Sequence, residues 1–159
     1  MKLKRWTWLI LSGGLWGGIG GWLLSLGAKR MLLALALKEI GATPVLDYFS
    51  LIIQGRARAG SLLILGSLAL GWLKGRAVLS KTVARTSRKI EALPEPIALK
   101  AVYGWGYLFL IGGMMTLGMI LKQLHLPLEV HAMIDVAIGM ALMTGAWLYF
   151  SQLKKVRVT

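Results

Sequence analysis

"SGGLWGGIGGW", Ser12 to Trp22, carries six glycines in eleven positions. In water such a run reads as a loop, and a glycine-rich loop can cradle phosphate. A dinucleotide fingerprint needs G-x-G-x-x-G between a strand and a helix. Here Gly18-Ile19-Gly20 meets Leu23 where the third glycine should stand, and no Gly-Lys-Ser/Thr follows. The setting decides the matter: the run lies inside Trp6 to Ala28, 23 residues without a charge. About 20 mostly apolar residues cross a bilayer as a helix. Lipid offers no water to broken backbone hydrogen bonds, so the helix persists despite its glycines.

Placed on that helix, Gly13, Gly14, Gly17, Gly18, Gly20 and Gly21 fall within an arc of about 160°. Trp8, Leu15, Trp16, Ile19, Trp22 and Leu23 fall largely outside it. Gly13-x3-Gly17-x3-Gly21 and Gly14-x3-Gly18 are small-x3-small ladders, which let a second backbone come close. Similar ladders recur downstream as Ser67-x3-Gly71-x3-Gly75 and Ala137-x3-Ala141-x3-Gly145. The glycine run is therefore a helix-packing surface, with a substrate groove against the bare side as the alternative.

The whole chain agrees with a membrane setting. Its 159 residues are 57% hydrophobic with mean hydropathy +0.68, whereas soluble domains run at about 45–50% apolar. Nineteen Lys and Arg face six Asp and Glu, a formal net charge of +13. That balance raises nucleic acid as a partner, but charges bracketing apolar spans are topology signals, so none is expected. The chain has no cysteine, which excludes disulfides and thiolate chemistry.

Three further spans are predicted beside residues 6–28. Residues 57–74 are centred on an uncharged core of 15 residues, residues 101–121 are uncharged throughout, and residues 131–152 carry one charge inside the apolar run, Asp135. An all-α integral membrane protein follows: a single membrane domain, 1–159, forming a four-helix bundle. With the N-terminus inside, the inner segments hold thirteen basic residues and the outer ones six. That bias puts both termini in the cytoplasm and the chain in the plasma (inner) membrane. The first span exceeds the 7–15 residues of a signal-peptide core and is read as uncleaved.

Residues 29–56, between spans one and two, are unusually apolar for a loop. Thr43-Pro44 reads as a helix start and Gly55 as a stop. A fifth crossing would bury Lys38 and Glu39 and reverse every later segment. One or two short interfacial or re-entrant helices are predicted instead. "GGWLLSLGAK" in span one aligns with "GGMMTLGMILK" in span three, and "ILGSLALGW" in span two with "AIGMALMTGAW" in span four. The order is that of a candidate parallel duplication of a two-helix hairpin.

Two groups of charges could carry chemistry. In the basic loop 74–100, a continuing helix gathers Lys74, Lys81, Arg85 and Arg88 on one face, with Arg76 on the other side. That face suits anionic headgroups at the cytoplasmic surface or a phosphate-bearing ligand. In span four, His131 and Asp135 lie one turn apart, with Glu129 pointing elsewhere. An acid inside a membrane helix is a functional candidate, here for proton or ion coupling. Its bland counterpart is a carboxylate near a helix start, paired with His131 or Arg58. His125, Glu129 and His131 match no zinc spacing, so neither metal nor cofactor is expected. Tyr103, Trp105, Tyr107, Trp6 and Trp8 fit aromatic belts, and the methionines fit helix interfaces.

The reading that follows is a small multi-pass protein that assembles with itself or within a larger membrane complex, as scaffold or accessory subunit. The alternative is a small transporter or channel subunit using Asp135 and His131. An enzyme on lipid or isoprenoid phosphates is the weakest reading, for want of a nucleophile or an acidic metal-binding motif.

Overall fold

The computed structural model describes residues 2–3, 5–37, 43–81, 83–85, 88, 97–98, 113, 116, 120, 123–124 and 126–156. It is helical, apart from one two-residue antiparallel pairing. The helices are α1 (Arg5–Ala36), α2 (Pro44–Ile53), α3 (Arg56–Lys74) and α4 (Leu128–Val156). The pairing joins β1 (Lys2–Leu3) to β2 (Ile97–Ala98), with Lys2 opposite Ala98 and Leu3 opposite Ile97. Three helical stretches are long and apolar enough to cross a membrane: Ile10–Ala36, Arg56–Arg85 and Leu128–Gln152. Of the predicted span 101–121 only residues 113, 116 and 120 are described; the rest lies outside the described residues, and with it most of the third of the four segments in the candidate duplication.

The segment 29–56 differs from its prediction. Its first part is no separate helix: "MLLALA" continues α1 without a break to Ala36. Ala, Leu, Met, Lys and Arg are strong helix formers, and no Gly or Pro stands between Ala28 and Leu37 to stop them. Only α2 is a separate short helix. It opens with Pro44 at the first position and ends at Gln54 (φ 53°) and Gly55 (φ 146°). That pair of left-handed residues turns the chain into α3, and the conformation at Gly55 is one that only glycine adopts easily.

The glycine face of α1 is divided by its partner. α1 and α4 form the principal helix pair, and they run antiparallel. Gly13 lies against Tyr149 and Phe150, Gly17 against Ala146, Gly20 against Gly139, and Gly27 against Ala132 and Val136. At Gly20 the backbones touch: an added Cβ would lie 2.9 Å from the Gly139 carbonyl oxygen. Gly14, Gly18 and Gly21 have nothing within 4 Å of an added Cβ. On a helical wheel Gly13, Gly17, Gly20 and Gly27 cluster about 100° away from Gly14, Gly18 and Gly21. The 160° face is thus two surfaces. The ladder on α4 continues through Gly20 and Gly27, and Gly21 belongs to the uncovered side.

α3 runs parallel to α4. Gly71 lies against Ala137 and Met140, Gly75 against Ala141 and Thr144, and Leu79 against Gly145. Gly60 apart, the buried residues described in α3 and its continuation are Ala59, Leu63, Ser67, Gly71, Gly75, Leu79 and Val83, each four after the last. In a pure α-helix a spacing of four drifts about 40° per step, or about 240° over the series. The helix widens into a π turn at Gly75–Leu79, whose i to i+5 bonds place more residues in each turn and rotate the stripe back. Ser67 and Thr144, buried near this contact, donate to Leu63 O (2.7 Å) and Met140 O (2.9 Å) of their own helices. Their polar groups are thereby satisfied without help across the interface.

These pairings define two ends. The base holds the start of α1, the end of the α3 stretch and the end of α4. The crown holds the end of α1, α2 and the starts of α3 and α4, around an apolar cluster of Met31, Leu46, Ala59, Leu63 and Ala132. The outer faces carry exposed Leu15, Ile19, Trp22, Leu62, Leu65, Leu70 and Trp147. Contiguous apolar surface of that extent fits lipid as the surrounding medium.

Candidate functional site: a polar cluster at the crown

The crown gathers charge where three apolar helices end or begin. α1 brings Arg30, which pairs with Asp135 of α4. Both side chains are mostly buried, at 24% and 16% exposed. The sequence pointed Asp135 toward His131 or Arg58; its described partner is Arg30 instead. The reason is the continuity of α1, which carries Arg30 past the end of the predicted span and along the antiparallel flank of α4. His131 lies within hydrogen-bond distance of the Leu126 carbonyl through Nδ1, at 3.2 Å. A carbonyl can only accept, so this contact is a bond only when Nδ1 carries the proton.

A second ion pair ties α2 to α3. Arg56 Nη1 lies 3.2 Å from Asp47 Oδ1. Arg56 Nη2 donates to Thr43 Oγ1 at 2.8 Å and, over 3.4 Å, to the Ala34 carbonyl. Thr43 is fully buried and its hydroxyl makes no cap bond to its own helix. The start of α2 is capped from elsewhere. Glu129 Oε1, in the first turn of α4, accepts from the Val45 N–H at 3.1 Å. Glu129 is 0% exposed, and its Oε2 has no hydrogen-bond partner among the described residues. An orphan buried oxygen costs about 1–3 kcal/mol. The N-terminal dipoles of α2 and α4 both favour a negative charge there and offset part of that cost.

The crown therefore holds two arginine–aspartate pairs and one glutamate stabilised by backbone. Sequence reasoning set Glu129 aside, read Thr43 only as a helix start, and did not single out Arg30 or Arg56. A signal for Arg30 existed: an arginine inside an unbroken helix-forming run needs a partner, and Asp135 is the acid of span four. Lys38, Glu39 and His125 lie outside the described residues. Among the described residues no three His, Asp or Glu side chains converge as metal ligands.

The base carries the other candidate charges. Lys74, Lys81, Arg85 and Arg88 are all exposed. The π turn falls between Lys74 and the other three, so the straight-helix wheel that aligned all four does not hold across it. Arg76 stacks over the Trp72 ring, 5.5 Å from its centroid, a cation–π contact. No protein-family model matches the chain, no curated protein is significantly similar to it, and no solved structure matches its fold.

Proposed function

We propose that this chain is a four-span inner-membrane protein, both termini cytoplasmic, that serves as a self-assembling or complex-forming helix bundle. The parallel course of α3 and α4 supports the fourth span. The chain leaves α3 at the base and enters α4 at the crown, and in this reading a further crossing joins the two ends. The pairing of Ala98 with Lys2 narrows that crossing to residues 99–127, which contain the uncharged run 101–121. The exposed Lys81, Arg85 and Arg88 support contact of the base with anionic cytoplasmic headgroups. No nucleic acid partner, metal or cofactor enters this reading.

The observation that carries assembly is the second glycine face of α1. Gly14 and Gly18 are exposed and uncovered among the described residues. Ser25 on the same side is bonded inward to Gly21 O at 2.8 Å, so the face is smooth and presents no polar demand to a neighbour. Such a surface suits close approach of another membrane helix. Crosslinking in native membranes and native mass spectrometry test it. Gly18→Leu should abolish a higher-order species seen with the wild-type chain. A wild-type monomer with no stable partner, or an assembly unchanged by Gly18→Leu, would overturn the proposal.

A transporter or channel subunit is the second reading, favoured by the Arg30–Asp135 pair and the buried Glu129 at the crown. It requires ion or proton flux in proteoliposomes that Asp135→Asn abolishes. Flux insensitive to Asp135→Asn and His131→Ala removes it.

A further inference from the structure

We propose that α2 is a lipid-seated helix whose outward face enters the headgroup–acyl boundary at the crown. A helix on a water-facing surface turns its polar side outward. α2 does the reverse. On a wheel centred on buried Leu46, the arc facing away from the protein holds Pro44, Tyr48, Leu51 and Ile52. Tyr48, Leu51 and Ile52 are 65%, 81% and 64% exposed. The polar residues are turned inward or bonded locally: Asp47 to Arg56, and Ser50 to the Asp47 carbonyl at 2.8 Å. The medium outside α2 is therefore apolar.

Three features commit the occupant to lipid. At 10 residues α2 is about 15 Å long, half a hydrocarbon core. It sits at the crown between the end of α1 and the start of α3, and those two helices also expose apolar side chains there, Leu32, Leu33 and Leu62. Arg58, exposed on the first turn of α3 beside Gly55, is placed to meet lipid phosphates while the arc enters the boundary. An interfacial helix of this kind seats its apolar face about 5–10 Å into the headgroup–acyl region.

This inference rests on the bundle spanning the membrane, and one experiment separates the two. The chain has no cysteine, so single-cysteine variants take a nitroxide label without background. Labels at Tyr48→Cys, Leu51→Cys and Ile52→Cys are compared with Leu65→Cys on the outer face of α3, in nanodiscs of zwitterionic and anionic phospholipid. Relative collision with oxygen and a water-soluble nickel chelate reports depth. The expected result is a shallow lipid depth for all three α2 labels and a deeper one for Leu65→Cys. Nickel-accessible α2 labels beside a lipid-exposed Leu65→Cys label would overturn the inference and leave the spanning reading intact. α2 labels as deep as Leu65→Cys would make α2 re-entrant and also overturn it. Labels shielded from both reagents and broadened by spin–spin coupling would assign the face to a second copy instead. A nickel-accessible Leu65→Cys label would remove the spanning reading itself.

Discussion

Gly18 and Gly20 are two residues apart on one helix, yet alanine at each should act in opposite directions. At Gly20 the added methyl would meet Gly139 O at 2.9 Å, Met143 N at 3.0 Å and Leu142 Cβ at 3.1 Å. Two of these are backbone atoms of α4 and cannot swing aside, so the helices must separate by a few tenths of an ångström. Overpacking of this kind costs about 1–3 kcal/mol. Each nearby contact along the α1–α4 seam also loses part of its dispersion energy as the gap opens. Helix propensity returns at most about 1 kcal/mol. The net expectation for Gly20→Ala is a loss of about 1–2 kcal/mol. At Gly18 no atom lies within 4 Å, so Gly18→Ala should be neutral or stabilising by up to about 1 kcal/mol. Reversible unfolding in mixed micelles, followed through the seven tryptophans, measures both at protein dilutions where any assembly has dissociated. A Gly20→Ala protein at least as stable as wild type, with Gly18→Ala the weakened one, would falsify the division of the glycine face.

Three further predictions concern the two ends. Asp135→Asn and Arg30→Met should each destabilise by about 1–3 kcal/mol, because each leaves a mostly buried charge without its partner; the double variant should cost less than the sum, and strict additivity in the cycle would deny the pair. Glu129→Gln should speed hydrogen exchange at the Val45 amide, and Glu129→Ala should speed it more, since that amide loses its acceptor; unchanged exchange there would mean α2 is held without the cap. With single cysteines at Arg88 and Gln123, a membrane-impermeant thiol reagent should label the two positions from opposite sides of a sealed vesicle, and labelling from one side alone would remove the returning crossing.

What the sequence made legible was the chemistry of the surroundings. Uncharged length showed which segments tolerate lipid, and the glycine spacing showed that α1 presents a bare side. It could not show that the side is two surfaces, because Gly20 and Gly21 differ only in which neighbour faces them. Helix ends were misjudged for a related reason. Lys29 and Arg30 read as a boundary because charge usually marks one, yet their backbone propensity is helical and Asp135 supplies the compensating charge from 105 residues away. The ladder Ser67-x3-Gly71-x3-Gly75 was visible in the sequence, but not its extension to Ala59 and Val83. Its meaning depended on a π turn, which single-residue propensities do not encode. The capping of α2 by Glu129 was likewise hidden, since local rules look for the cap at Thr43.

The crown's polar contacts also impose a timetable on synthesis. Arg30 precedes Asp135 by 105 residues and Val45 precedes Glu129 by 84. At about 5–20 residues per second, these partners emerge roughly 4 to 20 s apart. Through that interval Arg30 of α1 lacks its acid partner, and the first amide of α2 lacks the acceptor that Glu129 provides. The later helix, α4, is the one that neutralises the charge of the earlier α1. A chain truncated before α4 would therefore keep most of its apolar length and still present quality control with a charged, open crown.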